Sequence, residues 1–439
     1  MTSSTASSLP LLAGEGLPPF EEITPEQVHQ GIPVLLEELN RELTALEAQL
    51  EQRLGGSGSP LGWDELMGPL HHLGERLRWS WGVVSHLNGV CNTPELRDAH
   101  QSQQAAVVAF SSRAGQSRPI YRALQQLQRQ HEASRPGEAS HLDGTQQRIL
   151  AAELRDMQLR GVGLEGSGQE AFNATTTELA RLASDFGNHV LDATNSWTLR
   201  LSDPRELAGL PDSLRQLLAE AARQAAQAPA GEPAHAQATA ETGPWLMGLD
   251  MPRVIPFLKY SQRRNLRETV YRAQVARASS GELNNGPLIE RILTLRQEQA
   301  RRLGYASWAE VSLASKMAGS VAEVEQLLEE LRAAAYPVAQ QELEALRACA
   351  ARHGAPEAAD LKPWDVAFWA EKLRQQSFEL DSEALRPWFP LEQVLQGLFG
   401  LCQRLFDIRI VSTDAGEAPS WHPDVRYFRV LDAASGSPL

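Results

Sequence analysis

The sequence predicts a mainly α fold with a small β element near its C-terminal end. Three observations carry this. Apolar residues recur at spacings of three and four behind recognisable helix caps, strand-favouring runs are few and short, and no internal period builds a helical solenoid.

The helical signals begin at Thr24-Pro25-Glu26-Gln27, which supplies an N-cap, a proline at the first helical position and a capping-box glutamine. Val28, Ile32, Leu35, Leu36, Leu39, Leu43, Leu46 and Leu50 then form one apolar stripe. A long amphipathic helix is expected there, ended by a flexible Gly55-Gly56-Ser57-Gly58. Thr93-Pro94-Glu95 opens another helix in the same way. Ser320 and Glu323 make a capping box ahead of Val324, Leu327, Leu328 and Leu331. Gly304 closes the helix that carries Ile289, Ile292, Leu293 and Leu303.

Strand signals are confined to Asn195–Leu201, Trp245–Leu249, Arg409–Val411 and Val425–Leu431. Alternation along the last of these sends Val425, Tyr427 and Arg429 to one face and Arg426, Phe428 and Val430 to the other, with core packing expected for the aromatics. The Ala/Gln/Pro-rich segment from Ala221 to Gly243 is expected to end a helix in a mobile loop. These signals divide the chain into an N-terminal helical domain over 1–200, an Ala/Pro-rich connection with a short strand over 201–250, and a second helical region over 251–439.

The last fifty-odd residues are the most informative. A helix from Arg386 runs into two β-rich segments and then a Ser-Gly-Ser turn, and the chain ends at Leu439. Such a turn normally reverses a chain into a partner strand, and an unpaired edge strand is a liability. The expectation is a chain cut short, with apolar surface exposed over 390–431 where further helices would have covered it.

At 439 residues the chain is long enough for two or three cores. Fifty-five acidic against 41 basic side chains give a net charge of −14, which argues against a nucleic-acid or anionic-membrane surface. Three widely spaced cysteines, Cys91, Cys349 and Cys402, fit a reducing compartment without a disulfide framework. The N-terminus lacks the basic region of a secretory signal, and no stretch approaches the roughly 20 apolar residues that cross a bilayer. A cytoplasmic protein is expected.

Chemistry-bearing motifs are scarce. There is no Gly-x-Gly-x-x-Gly at a strand-to-helix turn, no phosphate-binding P-loop and no Gly-x-Ser-x-Gly elbow. Zinc peptidases place two histidines at i and i+4 on one helix face, yet none of the eleven histidines here is followed by another four residues on, so HExxH is absent.

Weaker groupings each have a plainer reading. His71-His72 with Glu75 has the spacing of a metal pair but also of an ordinary helix surface. His422 and Asp424 resemble a ligand pair, though a turn or capping role fits better. His131-Glu132 reads as solvated loop. Arg263, Arg264 and Arg267 can bind an anionic substrate end, or form an exposed ion-pair face near Glu268. The ten tryptophans include candidates for a stacking groove, with buried packing as the default.

Several segments, taken in order, resemble the thimet oligopeptidase and oligopeptidase A family of zinc metallopeptidases. They are LPPFEEITPEQV near the N-terminus, VSHLNGVCNTPELRDAH over Val84–His100, QQRILAAELRDMQLRGVGLEG ending at Gly166, and NHVLDATNSW ending at Trp197. GLDMPRVIPFLKYSQRRNLRETVYRAQVARAS over Gly248–Ser279, ILTLRQEQARRLGYASWAEVSLASKMA and RPWFP…WHPDVRYF follow. The likeness spans nearly the whole chain, and the bacterial oligopeptidase A branch is the nearer match.

The resemblance implies one helical lobe of a two-lobed, zincin-like peptidase that cleaves short peptides in the cytoplasm as a monomer. It also implies a zinc ion held by the HExxH histidines and a later glutamate, with the HExxH glutamate as general base. All those residues lie C-terminal to the matched region. No catalytic, metal-binding or substrate-binding role is therefore carried onto a position of this chain, and no zinc is expected on it. In this reading residues 251–439 begin the catalytic lobe and stop before the zinc-binding helix. The alternative is a non-enzymatic helical protein that binds peptides or acts as a scaffold.

Overall fold

The computed structural model describes residues 9–55, 61–135, 138, 141–227, 233–379, 382–413 and 416–439. Gly56-Ser57-Gly58 and the centre of the Ala/Gln/Pro-rich segment lie outside these residues. In chain order the elements are α1 (Pro25–Gly55), α2 (Trp63–Val90), α3 (Pro94–Gly115), α4 (Arg118–Ala133), α5 (Gly144–Leu159), α6 (Gly166–Ser196), β1 (Leu199–Leu201), α7 (Asp212–Ala226) and β2 (Trp245–Met247). Then come α8 (Met251–Tyr260), α9 (Arg264–Val275), α10 (Gly286–Arg302), α11 (Trp308–Leu313), α12 (Val321–Arg352), α13 (Pro363–Phe378), α14 (Ser382–Leu385), α15 (Leu391–Phe406), β3 (Ile408–Ser412) and β4 (Phe428–Asp432). The fold is mainly α, with two small antiparallel sheets.

The chain divides into two compact units. The first comprises Met1–Ser184, Arg291–Val321 and Phe399–Leu439. All eight residues of the α1 stripe are buried there, because 3.6 residues per turn puts them on one face. That face lies against α2, α3 and α4, and α4 lies against α5. Met67, Val84, Phe110, Leu124 and Leu154 supply the opposing side of this core.

Caps fix where the helices start. The Thr93 hydroxyl accepts the Leu96 N–H at 3.3 Å, and the Asp143 carboxylate accepts the N–H groups of Thr145 and Gln146 while the Gln146 side-chain oxygen accepts the Asp143 N–H. Gly304 follows α10 at φ +84°, the left-handed conformation that favours glycine at a helix end.

His100 is buried on α3, stacked on Trp81 with ring centroids 4.6 Å apart. Burial pushes its pKa below the ordinary 6.5. The folded state therefore favours neutral imidazole, and its stability contribution is complete above about pH 6.5 and falls as pH drops from there towards the lower folded value. Denaturant titrations at pH 7.5 and 5.5 are expected to show a loss in acid that His100→Phe reduces; an unchanged difference between the two pH values would refute this.

The C-terminal hairpin belongs to the first unit. Strand β3 pairs with β4 in the register Ile408↔Asp432 through Ser412↔Phe428. The pairing starts at Phe428, later than the Val425 expected, because Val425 to Tyr427 lie in the preceding loop. Phe428 packs edge-on against Phe399 at 5.0 Å, whereas Tyr427 stays exposed. The final turn also departs from expectation. Gly436 adopts φ +73°, Pro438 bridges to Leu431, and the Leu439 N–H donates to the Val430 carbonyl at 3.0 Å. The turn thus does reverse the chain onto the far edge of β4.

The second unit comprises Asp185–Glu290 and Ala322–Leu398. Strand β1 pairs with β2, with Leu201 opposite Trp245; Asn195 and Ser196, expected in the strand, instead finish α6. Trp245, Phe257, Leu218 and Val270 form its main core. A smaller core gathers Leu346 and Cys349 of α12 with Phe368 and Trp369 of α13. Gly243 enters β2 at φ +65°, and a Cβ there would sit 2.6 Å from the Trp245 ring, so only glycine lets the backbone pass.

Candidate functional site

Three features carry enough chemistry to weigh as a site: a cluster of buried charges, a cleft among helices, and a set of uncovered apolar faces.

The charge cluster lies in the second unit, where Asp365 follows Lys362-Pro363 at the start of α13. Its carboxylate accepts the Lys362 N–H at 3.0 Å, as a helix-initiating carboxylate does. The Arg264 guanidinium grips both of its oxygens, with Nε–Oδ1 3.0 Å and Nη2–Oδ2 2.7 Å, and Arg267 Nη2 adds a bond of 2.9 Å to Oδ1. Arg267 is buried and fully engaged: Nε donates to the Trp364 carbonyl, Nη1 to the Ser261 carbonyl, and the guanidinium stacks 4.2 Å from the Phe368 ring centroid. Burial opposes ionisation of Asp365, but the bonds from Arg264, the Lys362 N–H and Arg267 outweigh it and hold the carboxyl below its ordinary value. Arg267 stays cationic, although burial lowers its pKa.

Six residues further along α13, buried Glu371 takes Lys259 Nζ at 3.0 Å and Arg374 Nη2 at 2.6 Å. Its carboxyl too is held low, desolvation being outweighed by those two cations. The reading of Arg263, Arg264 and Arg267 as an anion-binding or exposed ion-pair face is therefore corrected. Two of the three converge on a carboxylate about a hundred positions away, and Glu268 pairs with Arg272 instead. With Arg264, Arg267, Lys259 and Arg374 each bonded to a buried carboxylate, the cluster fastens α8 and α9 to α13.

The remaining sequence candidates do not converge. Among the described residues no group of three or more His, Cys, Asp or Glu side chains is placed to hold a metal ion. A zinc ion therefore finds no fitting donor set in them. His71, His72 and Glu75 are exposed on α2, where Glu75 pairs with Arg78. His422 accepts the Asp424 N–H at 3.2 Å within a turn, the plainer of its two readings. His131 is not solvated loop: it closes α4, accepts the Leu142 N–H at 3.1 Å and packs on the His141 ring at 4.8 Å. Of the tryptophans, Trp245, Trp364 and Trp369 are buried, so the default holds for three of ten. Trp421 instead sits half-buried between Phe20 and His86, with centroids 4.9 and 4.3 Å away.

The cleft lies within the first unit and encloses about 730 Å³, in the range of small-ligand sites. Residues of α2, α3, α5 and the start of α6 line most of it. His71 and Glu75 sit on its wall together with Glu153 and Arg160, which the motif search passed over.

The third feature is apolar surface. No residue of α15 is buried, and Leu391, Leu398, Leu405 and Phe406 are each at least half exposed. On α12 the Leu327, Leu328 and Leu331 stripe is likewise exposed. Solvent-facing leucine stripes on two helices exceed what a soluble surface ordinarily carries. Among the described residues no helix is long and apolar enough to cross a membrane.

Residues 257–439 match the family model described as peptidase family M3, and residues 32–169 match that of the neurolysin/thimet oligopeptidase N-terminal domain. The "Probable cytosolic oligopeptidase A" of Arabidopsis thaliana is 40% identical over 437 residues, which cover 100% of this chain and 59% of that protein. The chloroplastic/mitochondrial organellar oligopeptidase A of the same plant is 40% identical over 439 residues, 100% of this chain and 52% of its own. Oligopeptidase A of Escherichia coli K12 is 35% identical over 430 residues, covering 96% of this chain and 58% of the bacterial one. The chain thus spans between half and three-fifths of the length of these curated relatives.

Proposed function

Because this chain belongs to peptidase family M3, among the oligopeptidases A, we propose that it forms the N-terminal portion of a zinc-dependent metalloendopeptidase that degrades short peptides in the cytoplasm. The complete enzyme in this reading is a monomer. Residues 1–200 supply its N-terminal helical domain and residues 251–439 the start of its catalytic lobe. The zinc ligands and the general base belong to polypeptide beyond that represented here.

The observation that carries this is the pairing of an M3 match over 257–439 with a chain in which no histidine is followed by another four residues on. Zinc hydrolases need three protein ligands and a water, and the i, i+4 histidine pair supplies two of those ligands from one helix face. The uncovered faces of α12 and α15 support the same reading, since a lobe completed by further chain would bury them.

Zinc content tests it. Purified residues 1–439, loaded with zinc and dialysed, are expected to retain far less than one equivalent by elemental analysis. One tightly held equivalent per chain would place a metal centre in this portion and sink the proposal.

A further inference from the structure

The cleft of the first unit combines apolar walls with two charged side chains that have no partner among the described residues. Leu70, Leu77 and Trp81 of α2 and Val108 of α3 line it half-buried, so they offer apolar area without being sealed in the core. Glu153 and Arg160 line it as well, and among the described residues neither side chain makes an ion pair or hydrogen bond. The other charges on the wall differ, because Glu75 and Arg78 are paired with each other.

Glu153 and Arg160 are seven positions apart along α5 and its C-cap, two turns and therefore one face of the helix, about 10 Å apart along its axis. A carboxylate and a guanidinium at that separation complement a ligand with a cation at one end and a carboxylate at the other. An extended chain of three residues spans about 10 Å.

The place of Arg160 is set by its neighbour. A Cβ on Gly115 would come within 2.5 Å of Arg160 Cδ, so the absence of a side chain at 115 lets the arginine stem lie across the end of α3. The Ser111 and Ser112 hydroxyls of α3 also line the cleft and can meet main-chain amides.

We propose that this cleft binds short apolar peptides of about three residues by both ends, the α-ammonium on Glu153 and the α-carboxylate on Arg160, with the side chains against Leu70, Leu77 and Trp81. The site shares its ligand class with the proposed function but requires no hydrolysis, so either can fail without the other.

Calorimetric titration of the full chain with Leu-Leu-Leu tests it, chromatography confirming that the peptide stays intact. One saturable site is expected. N-acetylation of the peptide and Glu153→Gln should each weaken binding about tenfold, and the acetylated peptide should not respond to Glu153→Gln. C-terminal amidation and Arg160→Gln should behave as the matching pair. Gly115→Ala, which displaces the arginine without removing its charge, should weaken the free peptide about tenfold at an unchanged melting temperature. Absence of saturable binding, equal affinity for capped and free peptides, or indifference to Gly115→Ala would each overturn the assignment. Laurate binding as tightly as the peptide and ignoring Glu153→Gln would overturn it in favour of a fatty-acid site.

Discussion

Replacing Asp365 by alanine is expected to destabilise the second unit by about 3–5 kcal/mol, the cost of leaving a buried charge without its partner. Arg267 is 1% exposed and has Asp365 as its counter-ion, while its other two bonds go to carbonyl oxygens. Removing the carboxylate leaves a guanidinium in a nearly dry site beside Phe368 and takes away the acceptor of the Lys362 N–H at the start of α13. Urea denaturation followed by circular dichroism measures the loss. The double variant Asp365→Leu, Arg267→Met is expected to cost less than Asp365→Ala alone, since the cation then left without its carboxylate, Arg264, is 38% exposed and no unpaired charge remains buried. A loss below about 1 kcal/mol for Asp365→Ala, the range of an exposed pair, would refute the burial argument.

Asp365 also leaves a signature in acid. Its folded pKa lies below the ordinary value of 3.8, so its contribution to stability is complete above that value. The contribution is lost as pH falls below 3.8 and through the folded pKa. Asp365→Asn should flatten this part of the acid-unfolding profile, and a profile identical to that of the parent chain would contradict the direction of the shift.

Trp245→Ala is the second large effect, expected to cost about 3–5 kcal/mol through lost burial and the cavity left behind. The side chain is fully buried, packs in the core of the second unit, and its indole N–H donates to the Ala240 carbonyl at 3.2 Å. Gly243 lies so close to the ring that the turn into β2 is shaped around it. Trp245→Phe should lose distinctly less, because most of the volume stays. Equal losses for the two variants would mean that the indole N–H, not the packing, dominates.

Local signals in the sequence are legible because they have local causes. The α1 stripe, the Thr93 cap and the Gly304 stop each follow from spacings of a few residues, and each stands where expected. What depends on distant partners was not legible. Arg264 and Arg267 looked like a surface face because Asp365 lies about a hundred residues away, although Lys362-Pro363-Trp364-Asp365 carries a capping signal that could have drawn attention to that carboxylate. Apolar periodicity marks a helix face without saying what covers it. The α1 stripe is buried while the equally regular Leu327, Leu328 and Leu331 of α12 face solvent. Glu153 and Arg160 match no motif, and only the packing of α5 brings both to one cleft.

The proposed division of labour, with the zinc centre outside residues 1–439, meets its most direct test in peptide cleavage. Purified chain supplied with zinc is incubated with a short, internally quenched peptide, in the presence and absence of a chelator. The account predicts no cleavage above background in either case. Turnover that zinc supports and the chelator abolishes would contradict it, because the hydrolytic centre would then lie within these residues.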